Sequence, residues 1–145
     1  EISLGLVGSE MCIRDRYNHI TTATRETAMA RFKALKAGEN FHDLDPELKT
    51  TYSNADRTQN TIYMRLKYNE PSGTVVNVRK SMWIHPELDR AISIREAARL
   101  QTFPDTFIFE GTKDSQYQQV GNAVPPYLAK AIADSVISIL NNATE

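Results

Sequence analysis

The residues of this chain that could do chemistry fall in a few short segments. Cys12 is the only cysteine, and it follows two glycines in GLVGSEMCIRDR (5–16), so it is a candidate for a loop-borne nucleophile. Near the other end, GNAVPP (121–126) joins a glycine and an asparagine, which tolerate positive φ, to two prolines that favour a helix start. Such a loop can present backbone N–H groups to a ligand, although most are simple connections.

The segment RAISIREAARLQTFPDTF (90–107) carries a strong local signal. Ser93 and Glu96 have the spacing of a capping box, which predicts a helix that begins at Ile94. Pro104 predicts the end of that helix soon after residue 103.

Other patterns predict the elements that must hold these segments in place. Residues 24–37 have apolar positions at helical spacing, with Thr24 as a possible N-cap, and Asp45 before Pro46 predicts a short second helix. Residues 61–68 and 73–80 predict two strands joined by NEPSG, the first with an alternating buried face. After GNAVPP, a helix with one apolar stripe is expected, which consists of Leu128, Ile132, Val136 and Ile139.

Composition and charge limit the class of protein. The 145 residues carry 17 Lys and Arg against 18 Asp and Glu, which excludes a chain that binds phosphates along its whole length. No apolar run approaches the roughly 20 residues that span a bilayer, and no signal-peptide order is present. A single cysteine excludes an internal disulfide and a cysteine-rich zinc site. We therefore expect a cytoplasmic protein without a metal or a membrane partner.

Basic residues are locally enriched between residues 49 and 80, where six stand against two acidic residues. A solvated strand face and a phosphate-facing surface both explain such a cluster. Further along, Arg95 and Arg99 share a helix face, where they would be exposed or paired with Glu96 or Asp105. Charge alone leaves these alternatives open.

Two segments together resemble the last two conserved blocks of the cytosine-5 DNA methyltransferases, in the family's order and separation. These segments are SIREAARLQTFPDTF and QYQQVGNAVPPYLAKAIA. Further upstream, the segment YMRLKYNEPSGTVVNVRKSMWIHPELDRAI resembles the stretch in which the family's target-recognition region returns to the common core. The segment HITTATRETAMARFKALKAGENFHDL resembles the part before it. The resemblance covers residues 17–145. It implies an α/β fold: the incomplete C-terminal part of a two-domain, Rossmann-like methyltransferase, with a small mixed recognition region and a terminal helix.

The resemblance also implies an activity and a division of the chain. Such enzymes transfer a methyl group from S-adenosylmethionine to C5 of a cytosine that is flipped out of duplex DNA, and a cysteine thiolate attacks C6. Residues 17–89 would be the remainder of the recognition region, residues 90–110 the first block, and residues 111–145 the cofactor loop and terminal helix. The enzyme would belong to a bacterium or phage, and a restriction-modification system is one setting expected for it.

Functional residues carry over from the family by position. The second block implies cofactor contacts at Asn122 and Val124, with Gly121 and Ala123 shaping the loop. His85 matches a family position, and a packing role beside Pro86 is expected for it. Candidate DNA contacts, assigned from local charge, are Arg65, Lys67, Arg79, Lys80 and, after a structural pairing role, Arg95.

Several family blocks are missing from the sequence. It contains no proline-cysteine catalytic block, no block with the glutamate that contacts N3 of the base, and no glycine-rich cofactor strand-loop. Cys12 is not in the context of the catalytic cysteine, because it lies only a few residues before the matched region. VGSEMCIRD (7–15) also reads as the translation of a transposon-end sequencing adapter, which predicts that residues 1–16 are a non-native leader.

Three functions stay open at this point. The first is a fragment of a single-chain methyltransferase, inactive alone because the catalytic cysteine is missing. The second is the recognition subunit of a two-chain methyltransferase. The third is a non-enzymatic DNA-binding module.

Overall fold

The computed structural model describes residues 17–21, 23–52, 54, 57–76 and 78–143. The helices are α1 (Glu26–Ala34), α2 (Pro46–Lys49), α3 (Val78–Ser81), α4 (Ile94–Leu100), α5 (Lys113–Asn122) and α6 (Pro126–Asn142), and a 3₁₀ turn spans Phe41–Asp43. Cys12 and the proposed leader, residues 1–16, lie outside the described residues.

Helix α1 forms where the apolar spacing predicts it and is shorter than the pattern. Ala28, Phe32 and the following Leu35 are buried, as expected from one apolar stripe. Arg25, rather than Thr24, occupies the N-cap position, and it makes no side-chain capping bond. The chain then turns at Gly38, where φ is +87° and the N–H donates to the Arg65 carbonyl oxygen (2.8 Å).

The predicted start of α2 is confirmed, since Asp45 is its N-cap and Pro46 its first residue. The predicted strand pair is wrong. Among the described residues, pairing is limited to isolated bridges, Arg65 with Ile84 in parallel and Ile84 with Ala91 antiparallel. The first segment cannot continue as a strand because Tyr63 has φ +53°.

In the second predicted strand, residues 73–76 have no regular structure and α3 begins at Val78. The expected alternation of burial also fails in the first segment, because Tyr63, Arg65 and Leu66 are all buried. The regular elements of the described residues are thus helices, joined by long irregular segments, where a mixed α/β region was expected.

Helix α4 confirms the capping box. The Ser93 Oγ accepts from the Glu96 N–H (3.1 Å), and the Glu96 carboxylate accepts from the Ser93 N–H (2.7 Å). The helix buries Ile94 and Ala97 in the larger of two hydrophobic cores, which also holds Trp83 and three side chains from later in the chain, Phe109, Tyr117 and Val120. A second core surrounds Phe32, Phe41 and Ile84.

Asn18 ties the start of the described chain to this core. Its side chain donates to the Phe109 carbonyl (2.8 Å) and accepts from the Phe109 N–H (3.0 Å). Its backbone carbonyl accepts from the Arg95 N–H (3.1 Å), and its own φ is +63°. Asparagine tolerates that conformation better than most residues.

Helix α5 was not predicted, because its sequence is polar and its glycine and asparagine favour a loop. Thr112 caps it, and Tyr117 and Val120 anchor it in the core. Gly121 and Asn122 are therefore its last helical residues, and neither has the positive φ that was expected. Burial of one apolar face outweighs the poor local propensity.

Helix α6 begins at Pro126 as predicted, and it lies apart from both cores. None of its residues is buried, so Leu128, Ile132, Val136 and Ile139 form an exposed apolar stripe. This confirms that the stripe lacks a covering partner within the described residues.

Candidate functional site: the loop between α5 and α6

The loop between the last two helices is short and defined at both ends. Ala123 follows α5 in an extended conformation and donates its N–H to the Val120 carbonyl oxygen (3.3 Å). Pro125 precedes α6 and makes no side-chain capping bond. Because proline cannot continue a preceding helix and suits the first turn of the next one, the two prolines fix this change of direction.

The four loop residues assigned from the resemblance divide into two pairs. The side chains of Asn122 and Val124 are exposed, Val124 by 61%. Gly121 and Ala123 are half-buried and line a groove of about 440 Å³. Both pairs are placed where a ligand can reach them.

The groove joins three parts of the sequence. It is lined by residues 71–75, by the end of α4 at Leu100 and Gln101, and by the α5–α6 loop with the first turn of α6. The PSGTV segment, predicted to be part of a hairpin, therefore lies beside the GNAVPP loop. Tertiary contact brings together segments that are about 50 residues apart in the sequence.

Two residues that the sequence reasoning passed over hold this loop. The Gln101 amide is buried and donates to the carbonyl oxygens of Val120 and Ala123 (both 3.1 Å). The Thr102 Oγ1 accepts from the Tyr127 N–H (3.2 Å). The sequence does show polar residues, Gln101 and Thr102, directly after the last residue of α4. This local pattern does not identify backbone partners that are about 20 residues away.

Arg65 and Arg95, two of the candidate DNA contacts, are buried. The Arg65 guanidinium donates to the carbonyls of His85 (2.9 Å) and Phe32 (2.6 Å) and pairs with Asp89. That of Arg95 donates to the Tyr17 carbonyl (2.9 Å) and the Pro104 carbonyl (3.1 Å). We correct the DNA assignment of Arg65, because its donors serve the protein itself. For Arg95 a structural role was expected first, and its bonds to backbone carbonyls are such a role, although Glu96 and Asp105 are not among these partners.

The other basic candidates lie differently. Lys67 is half-exposed, and its Nζ contacts the Glu70 carboxylate at 2.8 and 3.0 Å. Lys80 is exposed at the third position of α3, and the side chain of Arg79 is outside the described structure. Arg99 pairs with Asp105 (2.7 and 2.8 Å), which is one of the alternatives expected for it.

His85 is a packing residue, as expected, but only one of its ring nitrogens is bonded. Nδ1 accepts from the N–H groups of Glu87 and Leu88 (both 3.1 Å), while Nε2 is buried without a hydrogen-bond partner. Burial, and then the nearby Arg90 charge, lower the pKa of His85 below its ordinary value of 6.5. No cluster of three or more potential metal ligands occurs among residues 17–143 as described.

One stretch bears on the expectation that no membrane is involved. Lys113–Asn142 is long and apolar enough to be a candidate span by length and composition, with a mean hydropathy of 1.3 over 18 residues. The loop at Ala123 divides it, and α6 itself has 17 residues. A single candidate stretch of this kind is weak evidence for a membrane-spanning segment.

The fold of the described residues resembles part of a solved structure. The chain matches a solved structure from E. coli, assigned as a DNA modification methyltransferase encoded within a prophage, with a TM-score of 0.63 and 31% sequence identity. The match covers 86% of this chain and 29% of that one. The described elements are thus arranged as in part of a methyltransferase.

The family follows from the sequence comparisons. The family model described as C-5 cytosine-specific DNA methylase matches residues 8–138, and the chain belongs to this family. It is 39% identical over 118 residues to the type II methyltransferase M.AgeI of Thalassovita gelatinovora, covering 79% of this chain and 26% of that protein. It is 35% identical over 133 residues to M.DdeI of Desulfomicrobium norvegicum, covering 83% and 32%.

A third relative differs in length. The type II methyltransferase M.AquIB of Picosynechococcus sp. is 37% identical over 130 residues, which cover 82% of this chain and 86% of that protein. The chain therefore spans about a quarter to a third of the length of M.AgeI and M.DdeI, and most of the length of M.AquIB.

Proposed function

We propose that this chain supplies the end of the target-recognition region and the cofactor-closing loop of a cytosine-5 DNA methyltransferase. The observation that carries the proposal is the groove in which residues 71–75 meet the α5–α6 loop. In such an enzyme a methyl group passes from S-adenosylmethionine to C5 of a cytosine in duplex DNA. The recognition side and the cofactor side must then lie close together.

The loop fits a methyl donor of this class. A groove of about 440 Å³ is within the size range of small-molecule sites, roughly 300–1,000 Å³. Gly121 and Ala123 line this groove, whereas Asn122 and Val124 lie beside it on the same loop. Val124 offers an exposed apolar contact and Asn122 an exposed amide, which together suit a ligand with an aromatic base and polar groups. When bound, S-adenosylmethionine supplies an electrophilic methyl group. The role of these residues is to bind and orient it.

The proposed DNA-facing residues are now fewer. Lys67 and Lys80 remain exposed in part or in full, and Arg79 stays a candidate from the sequence. Contacts of this kind position a duplex through its phosphates and carry no base specificity by themselves. We expect them to add to contacts made by the rest of the enzyme.

A replacement experiment tests the proposal. The matching 118-residue part of M.AgeI would be replaced by this chain, and transfer of radioactive methyl groups from S-adenosylmethionine to duplex DNA would be measured. We expect methyl transfer by the chimera and none by either part alone. A chimera that is folded and inactive, beside an active parent enzyme, would overturn the proposal.

A chimera with Val124→Asp provides the matched test of the loop. A carboxylate at an exposed loop position should leave folding unchanged and weaken donor binding. Ser135→Asp, which also adds a charge at an exposed position, is the control because Ser135 lies within α6 and outside the α5–α6 loop. Equal losses in both variants would exclude a specific role for the loop.

A two-chain enzyme is the second candidate, because the chain covers most of M.AquIB and much less of the other two relatives. This candidate predicts methyl transfer when the separate chain is mixed with a second protein that carries the catalytic cysteine. Mixing the chain with the remainder of M.AgeI, without covalent fusion, distinguishes the two arrangements.

A further inference from the structure

We infer that Gln101 and Thr102 are positioning residues for the α5–α6 loop, and that they couple its conformation to α4. The identity of the ligand that this loop would bind rests on the proposed function. The hydrogen bonds that hold the loop do not depend on that function. Together the two side chains hold the loop at both ends.

The first contact is at the end of α5. The last turn of a helix leaves carbonyl groups without helical partners, and α5 has no basic residue there. The Gln101 amide reaches across from α4 and donates to Val120 and Ala123, on either side of Gly121 and Asn122. A single buried side chain therefore fixes the exit from α5.

The second contact is at the start of α6. The first N–H groups of a helix need outside acceptors, and Pro125 provides no side-chain cap. Pro126 has no N–H, so Tyr127 carries the first exposed backbone donor of the helix. The Thr102 hydroxyl, 25 residues earlier in sequence, accepts from it.

The backbone at Thr102 points to a specific use of that hydroxyl. The Thr102 N–H donates to the Arg99 carbonyl (2.9 Å) and the Phe103 N–H to the Ala98 carbonyl (2.9 Å), which is the Schellman pattern of a helix end. The residue at this place is left-handed, here with φ +63°, and glycine is usual.

A β-branched residue is strained in the left-handed region. Glycine would form the same helix end without strain, but it has no side chain for Tyr127. Threonine differs from glycine here by a hydroxyl that can accept a hydrogen bond. The residue with the strained conformation is therefore also the one that caps α6. We take this as the reason for a threonine at this place, since its hydroxyl links the start of α6 to the end of α4.

Isosteric variants separate the contact from the strain. Thr102→Val keeps the branching and removes the acceptor, while Thr102→Ser keeps the acceptor. Gln101→Leu removes the amide, and Gln119→Leu is its control. Gln119 also donates to a backbone carbonyl, that of Glu110 (2.9 Å), on the exposed side of α5.

Hydrogen exchange on this chain tests the contacts directly. We expect Thr102→Val to accelerate exchange of the Tyr127 amide roughly tenfold, since a hydrogen bond is lost, and Thr102→Ser to restore protection. Gln101→Leu should accelerate exchange of the Ala123 N–H, which donates to the Val120 carbonyl that Gln101 also holds, and leave α1 unchanged. Wild-type protection in Thr102→Val and Gln101→Leu overturns the inference. Unchanged fluorescence of the buried Trp83 verifies that each variant is folded.

Kinetics in the M.AgeI chimera test the consequence. We expect Gln101→Leu and Thr102→Val to raise the KM for S-adenosylmethionine roughly tenfold with a much smaller change in kcat, because ground-state and transition-state binding of the donor weaken together. Gln119→Leu and Thr102→Ser should resemble the unmodified chimera. A wild-type KM in the first two variants refutes positioning. An inactive unmodified chimera refutes the proposed function and leaves the exchange result to decide the contacts.

Discussion

Arg90 and Glu96 form a two-point ion pair at the start of α4, with nitrogen–oxygen distances of 2.7 and 2.8 Å. Glu96 is fully buried and also accepts from the Ser93 N–H. Burial by itself would raise the pKa of Glu96, but the hydrogen bonds from Arg90 and Ser93 outweigh it and keep the pKa below its ordinary value. The carboxylate of the capping box is thus also held by a partner outside the helix.

Removal of the guanidinium should destabilise the protein strongly. We expect Arg90→Ala to lower the free energy of unfolding by about 3–5 kcal/mol, because it leaves a buried charge without its partner. Glu96→Gln should cost less, since Arg90 is partly exposed and can reach water. Urea unfolding followed by Trp83 fluorescence measures both.

The matched control is an exposed pair. Lys130 and Asp134 on α6 are 2.6 Å apart with both side chains mostly in solvent, so Lys130→Ala should change the free energy of unfolding by less than about 1 kcal/mol. Equal effects of Lys130→Ala and Arg90→Ala would contradict the assigned role of the buried pair.

Stability should fall in mild acid because of His85. Its folded pKa lies below 6.5, so the unfolded chain binds the proton first as the pH falls. The contribution is fully present above about pH 6.5 and is lost as the pH drops through the lower folded pKa. His85→Asn retains an acceptor for the N–H groups of Glu87 and Leu88, and it should flatten the slope of unfolding free energy as the pH falls below about 6.5.

A second histidine contributes to the same interval. Burial lowers the pKa of His19, with a smaller opposing effect from Glu96. Some slope should therefore persist in His85→Asn and disappear when His19 is also replaced. An unaltered slope in the double variant would assign the acid sensitivity to other groups.

Arg95 should matter for folding rather than for phosphate contact. Its guanidinium holds backbone carbonyls of residues 17 and 104, so Arg95→Lys should destabilise the chain even though charge is conserved. We expect a loss of about 2 kcal/mol or more from unpaired carbonyls. Thermal unfolding measures it, and a wild-type midpoint would contradict the contacts.

Lys80 offers the contrasting test for DNA. In the M.AgeI chimera, Lys80→Ala should weaken binding to duplexes of different sequence by similar factors and reduce the salt slope by about one. Lys130→Ala removes the same charge from α6 and should leave binding unchanged. A sequence-dependent loss in Lys80→Ala would indicate base contact instead.

The exposed stripe of α6 should drive association of the isolated chain. Ile132 and Val136 are each about half exposed, and an uncovered apolar face of this kind favours self-association. We expect Ile132→Asp with Val136→Asp to shift the chain towards monomer in light scattering, while Ser135→Asp has little effect. Flotation of the wild-type chain with vesicles, abolished by the double variant, would instead indicate a lipid-facing helix.

The sequence by itself determined the features that depend on near neighbours. The Ser93–Glu96 capping box and the starts of α2 and α6 at prolines follow from interactions over a few residues, and the structure has each of them. The stripe on α6 follows from periodicity alone. The two terminal motifs were long enough to indicate the family that the comparisons then showed.

The tertiary structure decided what depends on distant partners. Tyr63 adopts a left-handed conformation that ends the predicted strand, and core packing makes α5 helical despite its glycine and asparagine. Local pattern likewise could not tell that Arg65 would donate to carbonyls in the interior, or that Gln101 would reach α5. Burial and long-range hydrogen bonds are properties of the packed chain, so they outweigh local preferences wherever the two disagree.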